Sequence, residues 1–227
     1  MNNDVLLEAR RRWTIHNLPF GALRDHYAQL LPRASRDYRD TDYLALDFET
    51  TGLYPVKDQI LSFGWVPIDG NRIRLAGAQH RLVRIDQAIS ADSAVIHQIT
   101  DDQTATGEPL KDVLSDCLRA LGGRVLVAHH ARIERGFLGA ACRQVFGQEP
   151  LLRVIDTQAL ARRSLERRQQ AYRAEDVRLH ALAAHYNLPQ MAAHNALSDA
   201  LNTAQVFLAQ SAYLDTGKPL LLRDLLT

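Results

Sequence analysis

The stretch Tyr43-Leu44-Ala45-Leu46-Asp47-Phe48-Glu49-Thr50-Thr51-Gly52-Leu53 is an apolar run that ends in two carboxylates one residue apart and then turns. Side chains alternate faces along a strand, so Asp47 and Glu49 point one way while Leu44, Leu46 and Phe48 point the other. At a separation of roughly 5–6 Å and an effective dielectric near 20, two such charges repel by about 3 kcal/mol. A buried pair is therefore protonated or holds a cation, whereas an exposed pair is an ordinary acidic strand end. Oxygen-only ligands suit Mg²⁺ or Mn²⁺ better than Zn²⁺, which prefers histidine and cysteine.

A chain of 227 residues supports one well-packed core with extensions rather than two full domains. Met1 to Arg12 has no apolar stretch long enough for a signal peptide or a membrane span, which predicts a cytoplasmic protein with no membrane partner. Cys117 and Cys142 lack a Cys-x-x-Cys arrangement, so neither a disulfide framework nor a thiolate zinc site is expected. A net charge of +1 gives no general attraction to a polyanion; any nucleic-acid binding must come from local clusters.

The pattern predicts three parts: an N-terminal helical extension at 1–41, a main domain at 42–212, and a tail at 213–227 that packs on it. In the extension, Leu23, Tyr27, Leu30 and Leu31 form one helical stripe. Its ordinary role is packing; its functional one would be a protein-partner docking or substrate-guiding arm. After the first strand, Ile60 to Val66 and Arg72 to Leu75 read as strands two and three of an antiparallel meander with a turn at Asp69-Gly70. Arg124 to Ala128 and Leu151 to Ile155 read as further strands, the first of them fully covered. Helical patterns fall near 108–121, 131–146, 156–168, 176–187 and 195–210. Together these make a mixed-sheet α/β domain. Ser164 to Asp176, rich in Arg, Glu and Gln, reads as a solvated charge run whose arginines could touch phosphates if it lay near an active-site mouth.

Two more acids stand out. Glu134 falls in the middle of the stripe formed by Phe137, Leu138, Ala141 and Val145, on the face that should be buried. It follows His129 and His130 at the carboxyl end of a strand, where ligand sites collect in α/β sheets. Asp199 is different: Leu197, Leu201, Ala204 and Leu208 form the apolar stripe of its helix, and Asp199 lies opposite with Asn202 and Thr203. Periodicity alone predicts an exposed side chain.

As a set, these residues resemble the DEDDh family of 3′→5′ exonucleases, the group that contains the proofreading epsilon subunit of DNA polymerase III and ribonuclease T. The resemblance covers about residues 42–210. It rests on Asp47-Phe48-Glu49-Thr50-Thr51-Gly52-Leu53 and on His194-Asn195-Ala196-Leu197-Ser198-Asp199-Ala200, with weaker echoes at His97-Gln98-Ile99-Thr100 and Asp156-Thr157. The second motif departs, with His129-His130-Ala131-Arg132-Ile133-Glu134 where the family usually has His-Asn-Ala-x-Phe-Asp. Glu134 thus adds one methylene, and His130 replaces an amide.

The resemblance implies a ribonuclease H-like five-stranded sheet of order 3-2-1-4-5 flanked by helices. It also implies two Mg²⁺ or Mn²⁺ ions held by Asp47, Glu49 and Asp199, with Glu134 contributing directly or through water. A neutral His194 would take the proton of the attacking water, and 5′-mononucleotides would leave. Thr50, Thr51, Gly52 and Leu53 would cradle the terminal nucleotide, with His97 and His130 as further substrate contacts. Single-stranded or frayed 3′ ends of DNA or RNA, short oligonucleotides among them, would be the substrates, in proofreading, repair or oligonucleotide turnover.

Two other readings compete. One is a catalytically impaired nucleic-acid-binding or polymerase-docking module of the same fold, motivated by Glu134 and residues 1–41. The other is a zinc hydrolase using His129, His130, His180, His185 and His194, which ranks last because no His-Glu-x-x-His or comparable spacing is present.

Overall fold

The computed structural model describes residues 3–85, 105–191 and 195–227. Its central element is β1 (Asp42–Thr50), which pairs antiparallel along its whole length with β2 (Ile60–Asp69). On its other side, β1 pairs in parallel with β5 (Val125–Ala128), but only from Tyr43 to Ala45. β5 in turn carries β6 (Val154–Asp156), again in parallel. The last residues of β1 therefore project past the end of β5, leaving room for a site at the carboxyl ends of the parallel strands.

The outer edge of β2 holds two short strands, β3 (Arg72–Ile73) and β4 (Gln79–Leu82), so six strands fill five positions in the order 3-2-1-5-6. The third strand expected at 72–75 is thus shorter and resumes after a 3₁₀ turn at Leu75–Gly77. Pro67 explains the break. The Arg74 N–H donates to the Pro67 carbonyl at 2.9 Å, yet Pro67 has no N–H to return toward the same edge.

The alternation of β1 divides the core in two. Leu44, Leu46 and Phe48 face a cluster that includes Phe63, Trp65 and residues of α2 (Ala22–Ala28), α3 (Leu110–Leu121) and α4 (Arg132–Phe146). Tyr43 and Ala45 face the other cluster, with Val66, Val127 and residues of α5 (Thr157–Arg167), α7 (Ala196–Leu214) and α8 (Leu222–Leu225). Between α5 and α7 lies α6 (Leu179–His185). Tyr43 and Phe207 meet at 4.7 Å between ring centroids, within the range of favourable aromatic pairs. Asp47 and Glu49 share the parity of Tyr43 and Ala45, so they face α7.

The N-terminal part holds two helices. A helix α1 (Asn3–Asn17) precedes α2, and it carries little amphipathic signal because Arg10, Arg11 and Arg12 interrupt its apolar residues. Polar fastenings hold it. Asp4 pairs with the buried Arg153, and Arg11 Nη1 donates to the Tyr27 carbonyl at 2.6 Å. α2 is shorter than the four-residue stripe implied: Leu23 and Tyr27 are buried, but the helix stops at Ala28 and Leu30 is exposed. Cys117 and Cys142 are buried and unlinked. Among the described residues, no helix is long and apolar enough to cross a membrane.

Candidate active site

Asp47, Glu49 and Asp199 each offer one carboxylate oxygen, and these three atoms lie within 4.8 Å of one another. Glu49 is buried and the other two are partly buried. This is the one such group of histidine, cysteine or acidic side chains among the described residues, and it contains no histidine. Its oxygen-only donor set fits a hard divalent cation. Burial drives the Asp47 carboxyl well above the usual carboxylate range, and the charges of Glu134, Asp199 and Glu49 push it the same way. So many carboxylates at one point are compensated by protonation or by a cation.

Asp199 reaches this centre because its helix buries what periodicity marked as the polar side. Asn202 and Thr203 are fully buried, while Leu197, Leu201 and Leu208 are only partly covered. The cause is a close approach at Gly64. Gly64 lies opposite Asp47 in the β1–β2 ladder, and the backbone of Ala196, the first residue of α7, rests directly on it. A Cβ at Gly64 would stand 2.0 Å from the Ala196 carbonyl carbon and 2.1 Å from its oxygen. Only glycine lets the start of α7 descend far enough to bring Asp199 beside Asp47. A lone glycine inside the apolar strand Ile60 to Val66 is the signal the sequence carries for this approach.

Glu134 sits in the first turn of α4 with only 4 % of its surface exposed. Its Oε2 is buried without a hydrogen-bond partner among the described residues. Burial pushes its carboxyl up to about 8, with the charge of Asp156 adding to the rise. It lies outside the 4.8 Å trio yet close enough for its charge to act on Asp47. Because the folded pKa exceeds the unfolded one, the native state binds the extra proton between about pH 4.5 and 8. Stability of the metal-free protein should therefore fall as pH rises through that window, by on the order of a few kcal/mol, and then level off. Thermal melts in EDTA across pH 5–9 would show this, and added Mn²⁺ should restore the most at the alkaline end.

The turn before α4 is built by Asp156. Its Oδ1 accepts from the N–H groups of His130, Gln158 and Ala159 at 3.1, 2.9 and 3.2 Å, and its Oδ2 from Ala131 at 3.0 Å. One carboxylate thus caps α5 and holds the second-motif turn, where His130 takes a left-handed φ of 63°. The exposed His130 ring shares a 3.0 Å hydrogen bond between Nδ1 and the Gln158 side-chain oxygen. His129 turns inward instead, with Nδ1 2.9 Å from Thr157 Oγ1, and burial lowers its pKa to about 4.

The loop after β1 is clamped. Thr50 Oγ1 donates to the Gly52 carbonyl at 2.6 Å, and Thr51 exchanges hydrogen bonds with Gln59, accepting at Oγ1 from its N–H at 2.9 Å. Asp58 accepts from the Tyr54 N–H at 2.7 Å, and a Cβ at Gly52 would come within 2.5 Å of that carboxylate. Leu53 stands 70 % exposed on this rigid loop. Of the remaining residues singled out, His97 and His194 lie outside the described residues. Two histidines lie near the acids, His180, which the sequence offered only as a zinc ligand, and His80, which it did not mark. His180 Nε2 is 4.0 Å from Asp199 Oδ1, and His80 lies opposite Gly64 in the β2–β4 ladder, near enough for the charge of Glu49 to bear on it.

A mixed sheet of order 3-2-1-5-6, with a cluster of carboxylates at the carboxyl ends of its parallel strands, defines a DnaQ-like, ribonuclease H-like α/β protein with an acidic centre. The RNase_T exonuclease family matches residues 44–207, and the chain belongs to this family of 3′→5′ exonucleases. The DNA polymerase III epsilon subunit of Treponema pallidum is 33% identical over 174 residues, covering 75% of this chain and 77% of that protein. The PolC-type DNA polymerase III of Thermotoga maritima is 34% identical over 171 residues, but there the chain spans only 12% of the relative's length. Among solved structures, exonuclease X in complex with 5′ overhanging duplex DNA is similar at a TM-score of 0.59 and 24% identity, covering 81% of this chain and 98% of that one. The nuclease domain of 3′hExo, a DEDDh family member bound to rAMP, is similar at 0.66 and 17% identity, covering 82% and 98%. At these identities the structural likeness speaks to the fold.

Proposed function

We propose that this protein hydrolyses the terminal phosphodiester at 3′ ends of DNA or RNA and releases 5′-mononucleotides. The observation that carries this reading is the convergence of Asp47, Glu49 and Asp199 within 4.8 Å, with the buried carboxyl of Glu134 acting on the same point. These four residues would hold two Mg²⁺ or Mn²⁺ ions, Glu134 directly or through water. When bound, such ions supply Lewis-acid activation of water and stabilisation of the leaving oxygen.

The chain's own groups do the rest. Thr50, Thr51 and Gly52, fixed by their hydrogen bonds, seat the terminal nucleotide, and Leu53 offers its exposed side chain to the last base. His130, on the exposed side of the second-motif turn, contacts the substrate together with His97. His194, five residues before Asp199 as in the family resemblance, takes the proton of the attacking water at its imidazole. Homologous proteins solved with overhanging duplex DNA and with rAMP support a nucleic-acid end as the substrate.

Isothermal titration with Mg²⁺, Mn²⁺ and Zn²⁺, followed by chromatography of the products from a single-stranded oligonucleotide, tests this. Binding of Mg²⁺ or Mn²⁺ that is lost in Asp47→Ala, with 5′-mononucleotides as the products, is the expected result. Tight Zn²⁺ binding without the other two would overturn it.

A further inference from the structure

The charge run Ser164 to Asp176, read from sequence as solvated, begins inside α5 and is flanked by Arg162 and Arg178. Residues 162–178 hold six arginines against three carboxylates. Two of these arginines border the site from different elements. Arg162 is one helical turn beyond Gln158 on α5, and Gln158 is the residue hydrogen-bonded to the exposed ring of His130. The Arg162 charge bears on His129 and on Tyr172. Arg178 immediately precedes α6, two residues before His180, which stands 4.0 Å from Asp199. Both arginines are exposed, and among the described residues neither has a carboxylate within ion-pairing distance. Tyr172, partly exposed, is held by a 2.9 Å hydrogen bond from its hydroxyl to Glu166.

A cluster of carboxylates repels a polyanion, and the net charge of +1 supplies no compensating field. A strand can approach this site only where local cations offset that repulsion, and guanidinium groups free of internal carboxylates keep their full capacity for phosphate. We propose that Arg162 and Arg178, with Gln158 and Tyr172 beside Arg162, form a track for the backbone of a single strand on the 5′ side of the scissile bond. The arginines take successive phosphates, and Tyr172 offers a ring for one base. This rests on the exonuclease reading above for the direction in which the strand lies.

The test is fluorescence anisotropy of a 5′-labelled 20-mer of deoxythymidine in EDTA, over a series of salt concentrations, with wild type and an Arg162→Gln/Arg178→Gln double variant. Both side chains are exposed, so the variant should keep its fold, checked by its Tm. Loss of two phosphate contacts should weaken binding about tenfold and make the slope of log K against log salt shallower by about 1.4. Arg72→Gln, on the far edge at β3, should change neither. In Mn²⁺, the double variant should also lose most of the preference for the 20-mer over a dinucleotide. Equal affinity and salt slope in wild type and double variant, or no binding by wild type, overturns the track. Wild-type binding with that variant effect but without cleavage of any substrate supports the track and overturns the exonuclease reading instead.

Discussion

Asp47→Asn is expected to lower 3′→5′ exonuclease turnover by at least about 10³-fold while raising the Tm of the metal-free protein. The two effects have one origin. Asp47 is crowded by the other acids: burial raises its pKa well above the normal range, and Glu134, Asp199 and Glu49 all add to the rise. Removing that charge relieves repulsion in the apo state, so melting in EDTA should move up by several degrees, each kcal/mol being worth roughly 2–4 °C in a chain of this size. The same change takes away a central ligand oxygen. A loss of roughly 4 kcal/mol of transition-state stabilisation corresponds to the stated fall in rate. Activity assays in Mn²⁺ paired with melts with and without the metal measure both. A variant that loses activity and stability together would mean that Asp47 holds the fold rather than the cation.

Gly64→Ala should damage the site without touching a single functional group. Its new methyl would meet the Ala196 carbonyl carbon at 2.0 Å, and backbone cannot swing aside as a long side chain does. The start of α7 must lift away from β2, carrying Asp199 with it. Overpacking of this kind costs about 1–3 kcal/mol, and a displacement near 1 Å at a catalytic group costs on the order of 10²-fold in rate. Weaker Mn²⁺ binding by titration, beside a folded circular dichroism spectrum, would separate the displacement of Asp199 from global unfolding. Full activity in Gly64→Ala would show that the contact yields without consequence.

These two residues also mark what a sequence shows and what it hides. Asp47 and Glu49 were legible because strand alternation fixes their common face without any tertiary information, and Glu134 because a carboxylate inside an apolar stripe has few explanations. Asp199 was not. Its helix lies against both the sheet and α6, so Asn202 and Thr203 are buried while the leucines are only partly covered; a one-sided stripe misjudges such a helix. The motif resemblance, rather than periodicity, placed Asp199 in the site.

The mixed α/β sheet was legible from the alternation of strands and helices and its order from the motif resemblance, but the split of its edge was not. That break depends on which edge of β2 the missing N–H of Pro67 faces, and pairing partners decide it. α1 lies within the helical extension expected at 1–41, but its bounds were not legible because ion pairs and a carbonyl contact help to hold it, and these leave no periodic trace. The arginines at 162 and 178 carried no signal in composition; what marks them is that Arg162 follows the His130 partner Gln158 by one helical turn and Arg178 precedes His180, which stands 4.0 Å from Asp199.

The most direct measurement is digestion of 5′-labelled single-stranded DNA and RNA, from dinucleotide to about 20-mer, in Mg²⁺, Mn²⁺ or EDTA, with wild type and Asp47→Ala. A ladder that shortens from the 3′ end, requires the metal and is absent in the variant is the predicted result. A folded wild-type protein that leaves every substrate intact in either metal would contradict the account.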